Sequence, residues 1–505
     1  MIEGMLHAFA TVSMPSHLLL ILLGTVLGLM VGALPGLSSP MAIIVLLPIT
    51  YSLEPLSAFE LMMGIYVSTK LGGSFASILL RTPGTPAAAC TVLDGYPMAQ
   101  QGKASLALGY SAMASTAGGL ISWIVAIAFV PIISAVALHS EPADIALLAV
   151  AGLTLVASFT RASMVRGMMG VLIGLLISSV GYDVQEGIER YSFGHPMLAS
   201  GVSFSAVLVG FFGMAVVLSD LDMVGKGSTL VSDKIGMQLP SLGDMLRRWR
   251  AWTIGTVYGV VVGAIPGVGS DGSVWMAYAT VRGQSKNPEN FGKGEPDGIL
   301  APESSNNATT GGTMIPMLTL GIPGDGSTAV MLGAMILHGL QPGVTLMQTS
   351  GDFVYGILAS LFYANIFMLV VALASIRLFI AILRRDRASI FPFILVFTVI
   401  GAFAEDNQIF PVYVAIACGV AGYILEARKF PVVTIVLGTI LGPIIEYNVR
   451  LGLAYSAGDW STFVGTWPRA IMVAAIAFLV CREVYLVFTS IRAKASTQQT
   501  KRETA

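Results

Sequence analysis

The sequence predicts an all-α integral membrane protein, built as an inverted-topology repeat with two re-entrant hairpins, two broken helices and about 11 crossings. Composition sets the class. The chain has 505 residues, 55% of them hydrophobic and only 11% charged, with a mean hydropathy of +0.80, whereas soluble domains carry about 25% charged residues. Internal duplication sets the architecture. Residues 24–36 read GTVLGLMVGALPG and residues 255–267 read GTVYGVVVGAIPG, with Gly, Thr, Val, Gly, Val, Gly, Ala, Pro and Gly in the same order and spacing. Loop charge sets the orientation. The flanks of the first copy, 1–16 and 51–58, lack Lys and Arg, while the second is bracketed by Arg250, Arg282, Lys286 and Lys293. By the positive-inside rule the copies enter the membrane in opposite senses.

Several function classes drop out at this level. A net charge of −1 gives no electrostatic footprint for nucleic acid, and no nucleic-acid partner is expected. Cys90, Cys418 and Cys481 are far apart, so neither a disulfide framework nor a CxxC metal site follows. No GxxxxGK[ST] phosphate loop occurs, and the five histidines lack zinc-ligand spacing. The first 16 residues contain no basic n-region, so the start is read as part of the mature fold.

Taken in order, the first repeat covers 1–219. Residues 17–50 form two short apolar arms, each under the roughly 20 residues needed to span, around a tip at Pro35-Gly36-Leu37-Ser38-Ser39; a re-entrant hairpin fits. Residues 57–99 form the first broken helix, with expected breaks at Gly72-Gly73 and Pro83-Gly84. Scaffold spans follow at 106–134, 143–159, 167–181 and 199–219. Residues 220–250 are the longest polar stretch, a cytoplasmic or interfacial connector. Ser241 and Asp244 have capping-box-like spacing there, so a short helix ending in Arg247, Arg248 and Arg250 competes with a plain basic loop. The second repeat covers 251–491. Its hairpin is 251–283, with a tip at Pro266-Gly267-Val268-Gly269-Ser270. Its broken helix is 303–345, with expected breaks at Gly311-Gly312 and Pro323-Gly324. Spans at 352–383, 389–404, 409–427, 431–446 and 467–490 complete it. The tail 492–505 is polar, cytoplasmic and expected to be disordered.

Long stretches of the chain resemble a known family. GALPGLSSPMAIIVLLPITYSLEP, LGGSFASILLRTPGTPAAACTVLDGYPMAQQGKASLALGYSA and FGKGEPDGILAPESSNNATTGGTMIPMLTLGIPGDGSTAVMLGAMILHGLQPG look like the large membrane subunit of the tripartite tricarboxylate transporters, the TctA family. The resemblance runs in order over roughly residues 17–490. It implies a multi-pass secondary transporter of the prokaryotic inner membrane, working by an elevator-like alternating-access mechanism. Its implied partners are a small four-helix membrane subunit and a periplasmic solute-binding protein. The implied substrates are organic anions such as di- and tricarboxylates, taken up with sodium or protons. This sequence departs from the family pattern at Lys70, Arg81, Asp271 and Asp325, which leaves the solute and the coupling ion open.

The residues themselves indicate where an anion would be held. Breaks in membrane helices expose N–H donors and partial positive charge. Ser38, Ser39, Gly72, Gly73 and Ser74 in one half, and Ser270, Asp271, Gly311, Gly312 and Thr313 in the other, are the expected substrate contacts. Asn306, Asn307 and Thr310 carry oxygens suited to a sodium ion, and no other cofactor is expected. Each Gly has a plainer use in close helix packing, and each Ser or Thr in a bond to its own helix. Lys70 lies in the apolar run from Leu61 to Leu80. Its ammonium can contact the substrate, pair with Asp271 or Asp325, stand in for a coupling cation, or snorkel to the interface. The other classes weighed are a channel, a structural subunit, and an intramembrane hydrolase using Ser74 with Lys70.

Overall fold

A computed structural model describes residues 2–34, 38–81, 83–138, 140–159, 164–183, 188–215, 218, 239–266, 269–382, 396, 399, 402–403, 408–428, 430–482 and 485. Its main helices are α1 (Ile2–Val12), α2 (Pro15–Gly32), α3 (Ser39–Thr50), α4 (Pro55–Leu80), α5 (Val92–Met98), α6 (Ala104–Ala137), α7 (Pro142–Phe159), α8 (Met164–Ser178), α9 (Trp249–Gly263), α10 (Gly269–Gln284), α11 (Asp297–Leu320), α12 (Gly326–Leu337), α13 (Gly351–Ile382), α14 (Phe410–Ala427) and α15 (Val432–Tyr455). Among the described residues the sheet structure is one antiparallel pair, Gly181–Tyr182 with Glu189–Arg190.

Six helical stretches are long and apolar enough to cross a membrane: Pro15–Gly32, Pro55–Leu80, Val92–Ala137, Gly351–Phe379, Phe410–Ala427 and Val432–Tyr455. The chain is a multi-pass membrane protein. The first of these stretches is α2, the first arm of the expected hairpin, 18 residues long. The third is made continuous by a π-turn over Ala99–Lys103, kinked where Gly102 takes φ 80°. Of the hairpin tips, Pro35, Gly36 and Gly267 lie outside the described residues, as do most of the 220–250 connector and the whole of the 492–505 tail. The described end of the connector does form a helix, Leu242–Arg247. Ser241 Oγ accepts from the Asp244 amide at 3.1 Å and caps it.

The chain packs as two compact units. The first comprises Met1–His139 and Val180–Arg428. At its centre are α4 and α11. Every residue of α4 from Ala58 to Leu80 is buried, and so is every residue of α11 from Gly298 to Thr319. The repeated glycines explain how α2 and α9 reach them. A Cβ on Gly24, Gly28 or Gly32 would run into the carbonyl oxygen of Leu61, Ile65 or Thr69. A Cβ on Gly255, Gly259 or Gly263 would meet the backbone of Ala301, Ser305 or Thr309 in the same way. Each stripe advances four residues as its partner advances four, so α2 runs parallel to α4 and α9 parallel to α11. The duplicated motif is thus a packing device, in which absent side chains let helix backbones touch.

One expectation about these helices needs correction. Helices α4 and α11 run unbroken through Gly72-Gly73 and Gly311-Gly312. These glycines are contact points: Gly72 lies on the Leu29 carbonyl, Gly73 on Thr85, Gly311 on Ser122 and Gly312 on the Val260 carbonyl. Helix hydrogen bonds stay intact because the packing compensates the low helix propensity of glycine. Proline 302 and proline 316 are likewise accommodated inside α11. The chain leaves the helix further on, at Arg81 (φ 55°) and Gly321 (φ 69°). Residues 83–86 and 322–325, with Pro83-Gly84 and Pro323-Gly324, are non-helical. Gly84 then packs on the Gly32 carbonyl and Gly73, and Gly324 on the Gly263 carbonyl and Thr313.

The second unit comprises Ser140–Ser179 and Lys429–Ala505. Helices α7, α8 and α15 pack together, with Gly174 against the Ile435 carbonyl and Gly438 against the Val171 carbonyl. Residues 467–482 are helical. Arg469 is buried and donates to Asp144 Oδ1 (2.6 Å) and Oδ2 (2.9 Å), to Glu141 Oε2 (2.7 Å) and to the Thr462 carbonyl (3.0 Å).

Candidate functional site

Helices α4 and α11 meet along a polar seam. Ser74 bonds Glu303, Lys70 bonds Thr309, and Tyr66 bonds Thr313. One set of numbers falls as the other rises, so the two helices are antiparallel. Tyr66, Lys70 and Ser74 follow at one-turn spacing on α4, as do Thr309 and Thr313 on α11, while Glu303 reaches Ser74 from six residues before Thr309. In a helix this deeply buried, polar side chains must find each other.

The middle of the seam is built on Lys70. Its Nζ donates to Thr309 Oγ1 at 2.8 Å and to Ser270 Oγ at 3.2 Å, and lies 3.6 Å from Asp325 Oδ2. The Tyr66 ring lies beneath it, 5.0 Å from the ammonium. The Tyr66 hydroxyl donates to Asp325 Oδ2 at 2.8 Å and lies 2.9 Å from Thr313 Oγ1. Asp325 also caps α12, accepting the Thr328 amide at 2.9 Å. Ser270 is in the first turn of α10, beside the exposed Asp271, which also acts electrostatically on Lys70. The buried ammonium is thus held where α10, the 322–325 break and the two central helices converge. Ser270 and Asp325 are its partly open edge.

One turn along, Glu303 is fully buried and held by hydroxyls from three segments. Ser74 donates to Oε1 at 2.6 Å, Ser111 and Ser115 to Oε2 at 2.9 and 3.1 Å, and Thr91 to Oε1. This removes the hydrolase reading. The Ser74 hydroxyl points to a carboxylate and reaches only the Lys70 backbone carbonyl, at 3.5 Å, while the ammonium is engaged elsewhere. A second buried carboxylate, Asp94, accepts from Tyr278 and from the amides of Gly292, Gly294 and Glu295 (2.8–3.0 Å), and so staples the loop before α11.

The expected site residues divide accordingly. Lys70, Ser74, Ser270 and Thr313 come together on the seam, with Asp325 closing it. Gly72, Gly73, Gly311 and Gly312 do not supply free donors, because their amides belong to continuous helices. Ser39 is buried at the start of α3, and Ser38 precedes it. The Asn307 amide nitrogen donates to the Val67 carbonyl at 3.3 Å, and Thr310 bonds the Asn307 carbonyl at 2.6 Å. Asn306 Oδ1, Asn306 Nδ2 and Asn307 Oδ1 are buried without a hydrogen-bond partner. Sequence reasoning passed over Tyr66, Thr309 and, of the hydroxyls around Glu303, those of Thr91, Ser111 and Ser115. For Tyr66 the available signal was its four-residue spacing from Lys70 and Ser74 on one helix.

Residues 18–437 match the model of the tripartite tricarboxylate transporter TctA family. The chain belongs to this family. It is a transporter family, not an enzyme family, and its name places the chain in a tripartite system with other subunits. The chain is 33% identical over 495 residues, 98% of each sequence, to an uncharacterized 52.8 kDa protein in the TAR-I ttuC' 3' region of Agrobacterium vitis. It is 35% identical over 236 residues, 47% of this chain and 96% of the relative, to an uncharacterized protein in the TAR-II ttuC' 3' region of the same organism. No solved structure matches the chain.

Proposed function

We propose that this TctA-family chain is the large transmembrane subunit of a binding-protein-dependent secondary transporter in a prokaryotic inner membrane, taking up an organic anion with sodium or protons. The observation that carries this reading is Lys70: a buried ammonium at the meeting point of α4, α10, α11 and the 322–325 break. An anion entering between Ser270 and Asp325 meets a positive charge and hydroxyl donors that replace its hydration. The Lys70–Asp325 contact, at 3.6 Å, is loose enough for an incoming carboxylate to compete with Asp325. A small four-helix subunit and a periplasmic solute-binding protein complete the system, the latter delivering the solute.

An inverted-topology, elevator-like arrangement fits the antiparallel run of α4 and α11, each flanked by its own parallel glycine-striped helix. For the coupling ion, sodium suits the oxygen-rich donor set near Asn306, whose amide is buried and unpartnered. The test is uptake of radiolabelled di- and tricarboxylates into proteoliposomes holding both membrane subunits, with binding protein added and a sodium or proton gradient imposed. Gradient-dependent accumulation is expected, and Lys70→Met should reduce it at least tenfold at equal membrane abundance. Passive equilibration without accumulation overturns the reading in favour of a channel.

A further inference from the structure

The two repeats share a series of glycine contacts at one constant register, which identifies counterparts across the seam. Gly24, Gly28 and Gly32 sit on Leu61, Ile65 and Thr69 as Gly255, Gly259 and Gly263 sit on Ala301, Ser305 and Thr309. Gly72 lies on Leu29 as Gly312 lies on Val260. The left-handed caps Arg81 and Gly321 correspond, as do Gly84 and Gly324. The same register makes Thr69 the counterpart of Thr309, Gly73 of Thr313, Thr85 of Asp325, Asn306 of Tyr66 and Thr310 of Lys70. The duplicated motif makes Ser39 the counterpart of Ser270.

In the Lys70 half, three oxygen groups surround a cation: Thr309 Oγ1, Ser270 Oγ and the Asp325 carboxylate. Their counterparts are Thr69 Oγ1, Ser39 Oγ and Thr85 Oγ1, again all oxygens. The lysine is replaced by Thr310, whose side chain is too short to place a charge among them. Opposite the Tyr66–Thr313 rung, the register sets Asn306 against Gly73. Thr85 packs on that glycine, its Oγ1 2.6 Å from where a Cβ would stand. Thr85 Oγ1 and both polar atoms of Asn306 are buried with no hydrogen-bond partner, as none of the corresponding atoms in the Lys70 half is. Thr69 spends its proton on the Ile65 carbonyl at 2.6 Å, so its lone pairs face outward. Ser39, Thr69, Thr85 and Asn306 are each less than a tenth exposed.

We propose that Ser39, Thr69, Thr85 and Asn306 form a binding site for a sodium ion, the counterpart of the place filled by the Lys70 ammonium in the other repeat. Hard monovalent cations take neutral oxygen ligands of this kind in membrane proteins. The chain therefore carries one tethered cation and one exchangeable cation at equivalent positions. Asn307 is not among these ligands: the same register makes it the counterpart of Val67, which takes no part in holding the Lys70 ammonium. The choice of residues follows from the repeat packing, and the choice of sodium rests on the sodium-coupled reading given above; ion binding is measured here without transport.

Thermal unfolding of the purified full-length chain in detergent tests it, with NaCl titrated against KCl at constant ionic strength. A saturable rise in melting temperature specific to sodium is expected. Thr85→Val, which removes one ligand oxygen at nearly constant volume, should raise the half-saturating sodium concentration at least tenfold. Thr310→Lys should supply the missing ammonium and abolish the sodium response while keeping the melting temperature in KCl at or above that of the wild type. Equal melting temperatures in the two salts for the wild type overturn the proposal. So does a sodium response left unchanged by both substitutions.

Discussion

A lysine only 3% exposed near the middle of a membrane helix costs at least roughly 2.5–3.5 kcal/mol on insertion scales. The Asp325 carboxylate, the Thr309 and Ser270 hydroxyls and the Tyr66 ring offset that cost, and removing either partner leaves the other charge buried. Lys70→Met and Asp325→Asn should each lower the melting temperature, and the double variant should recover most of the loss. Failure of the double variant to recover would show that the pair is not coupled. Stability and transport separate here: if Lys70 contacts the substrate, the double variant regains stability but not uptake. Glu303 presents the opposite case, a carboxylate with hydroxyl partners and no ion pair among the described residues. Glu303→Leu leaves four hydroxyls without their acceptor, at about 1–3 kcal/mol for each that finds no other. Back-bonding to their own helices reduces the total. Glu303→Gln keeps shape and polarity, so its melting temperature should lie between those of Glu303→Leu and wild type.

At the scale of elements, the repeated glycine stripes make the clearest prediction. Gly28→Leu drives a side chain into the Ile65 backbone and Gly259→Leu drives one into the Ser305 backbone. Overpacking of this kind costs typically 1–3 kcal/mol, at about the upper end or beyond when backbone must move. Both variants should lose monodisperse protein on size-exclusion chromatography, whereas Gly283→Ala, facing open space, should not. Comparable behaviour of all three would remove the packing role of the motif. The helix periods, the Pro-Gly interruptions and the Ser241 cap were legible in the sequence because they depend on neighbours within a turn or two. Continuity through Gly72-Gly73 and Gly311-Gly312 was not legible. Glycine pairs break a helix in isolation and join two helices when a partner backbone lies against them.

For the molecule as a whole, the antiparallel relation of α4 and α11 has a topological consequence. Single cysteines at the exposed positions Ser52 and Lys286, in a background lacking Cys90, Cys418 and Cys481, should react with an impermeant maleimide from opposite faces of the membrane. Reaction of both from one face contradicts the inverted repeat. Uptake should also depend on the other subunits, so the chain alone in proteoliposomes should transport far more slowly than the complete system; full-rate uptake by the single chain contradicts the proposed partnership.

Composition, duplication and loop charge determined the membrane class, the repeat and the outline of the helices, since hydropathy and spacing are local properties written into every turn. The sequence also singled out Lys70, because an ion in an apolar run is conspicuous wherever it points, and named Asp325 among its partners without choosing it. Tertiary structure alone decided that choice, along with the hydroxyl cradle of Glu303, the staple at Asp94 and the isolation of Asn306. Each of these depends on which residues face one another across helices more than 180 positions apart in the chain. Between α6 and α11 that register goes with backbone contact at glycines, Gly118 on Ser304 and Gly311 on Ser122, whose geometry no local pattern of side chains records.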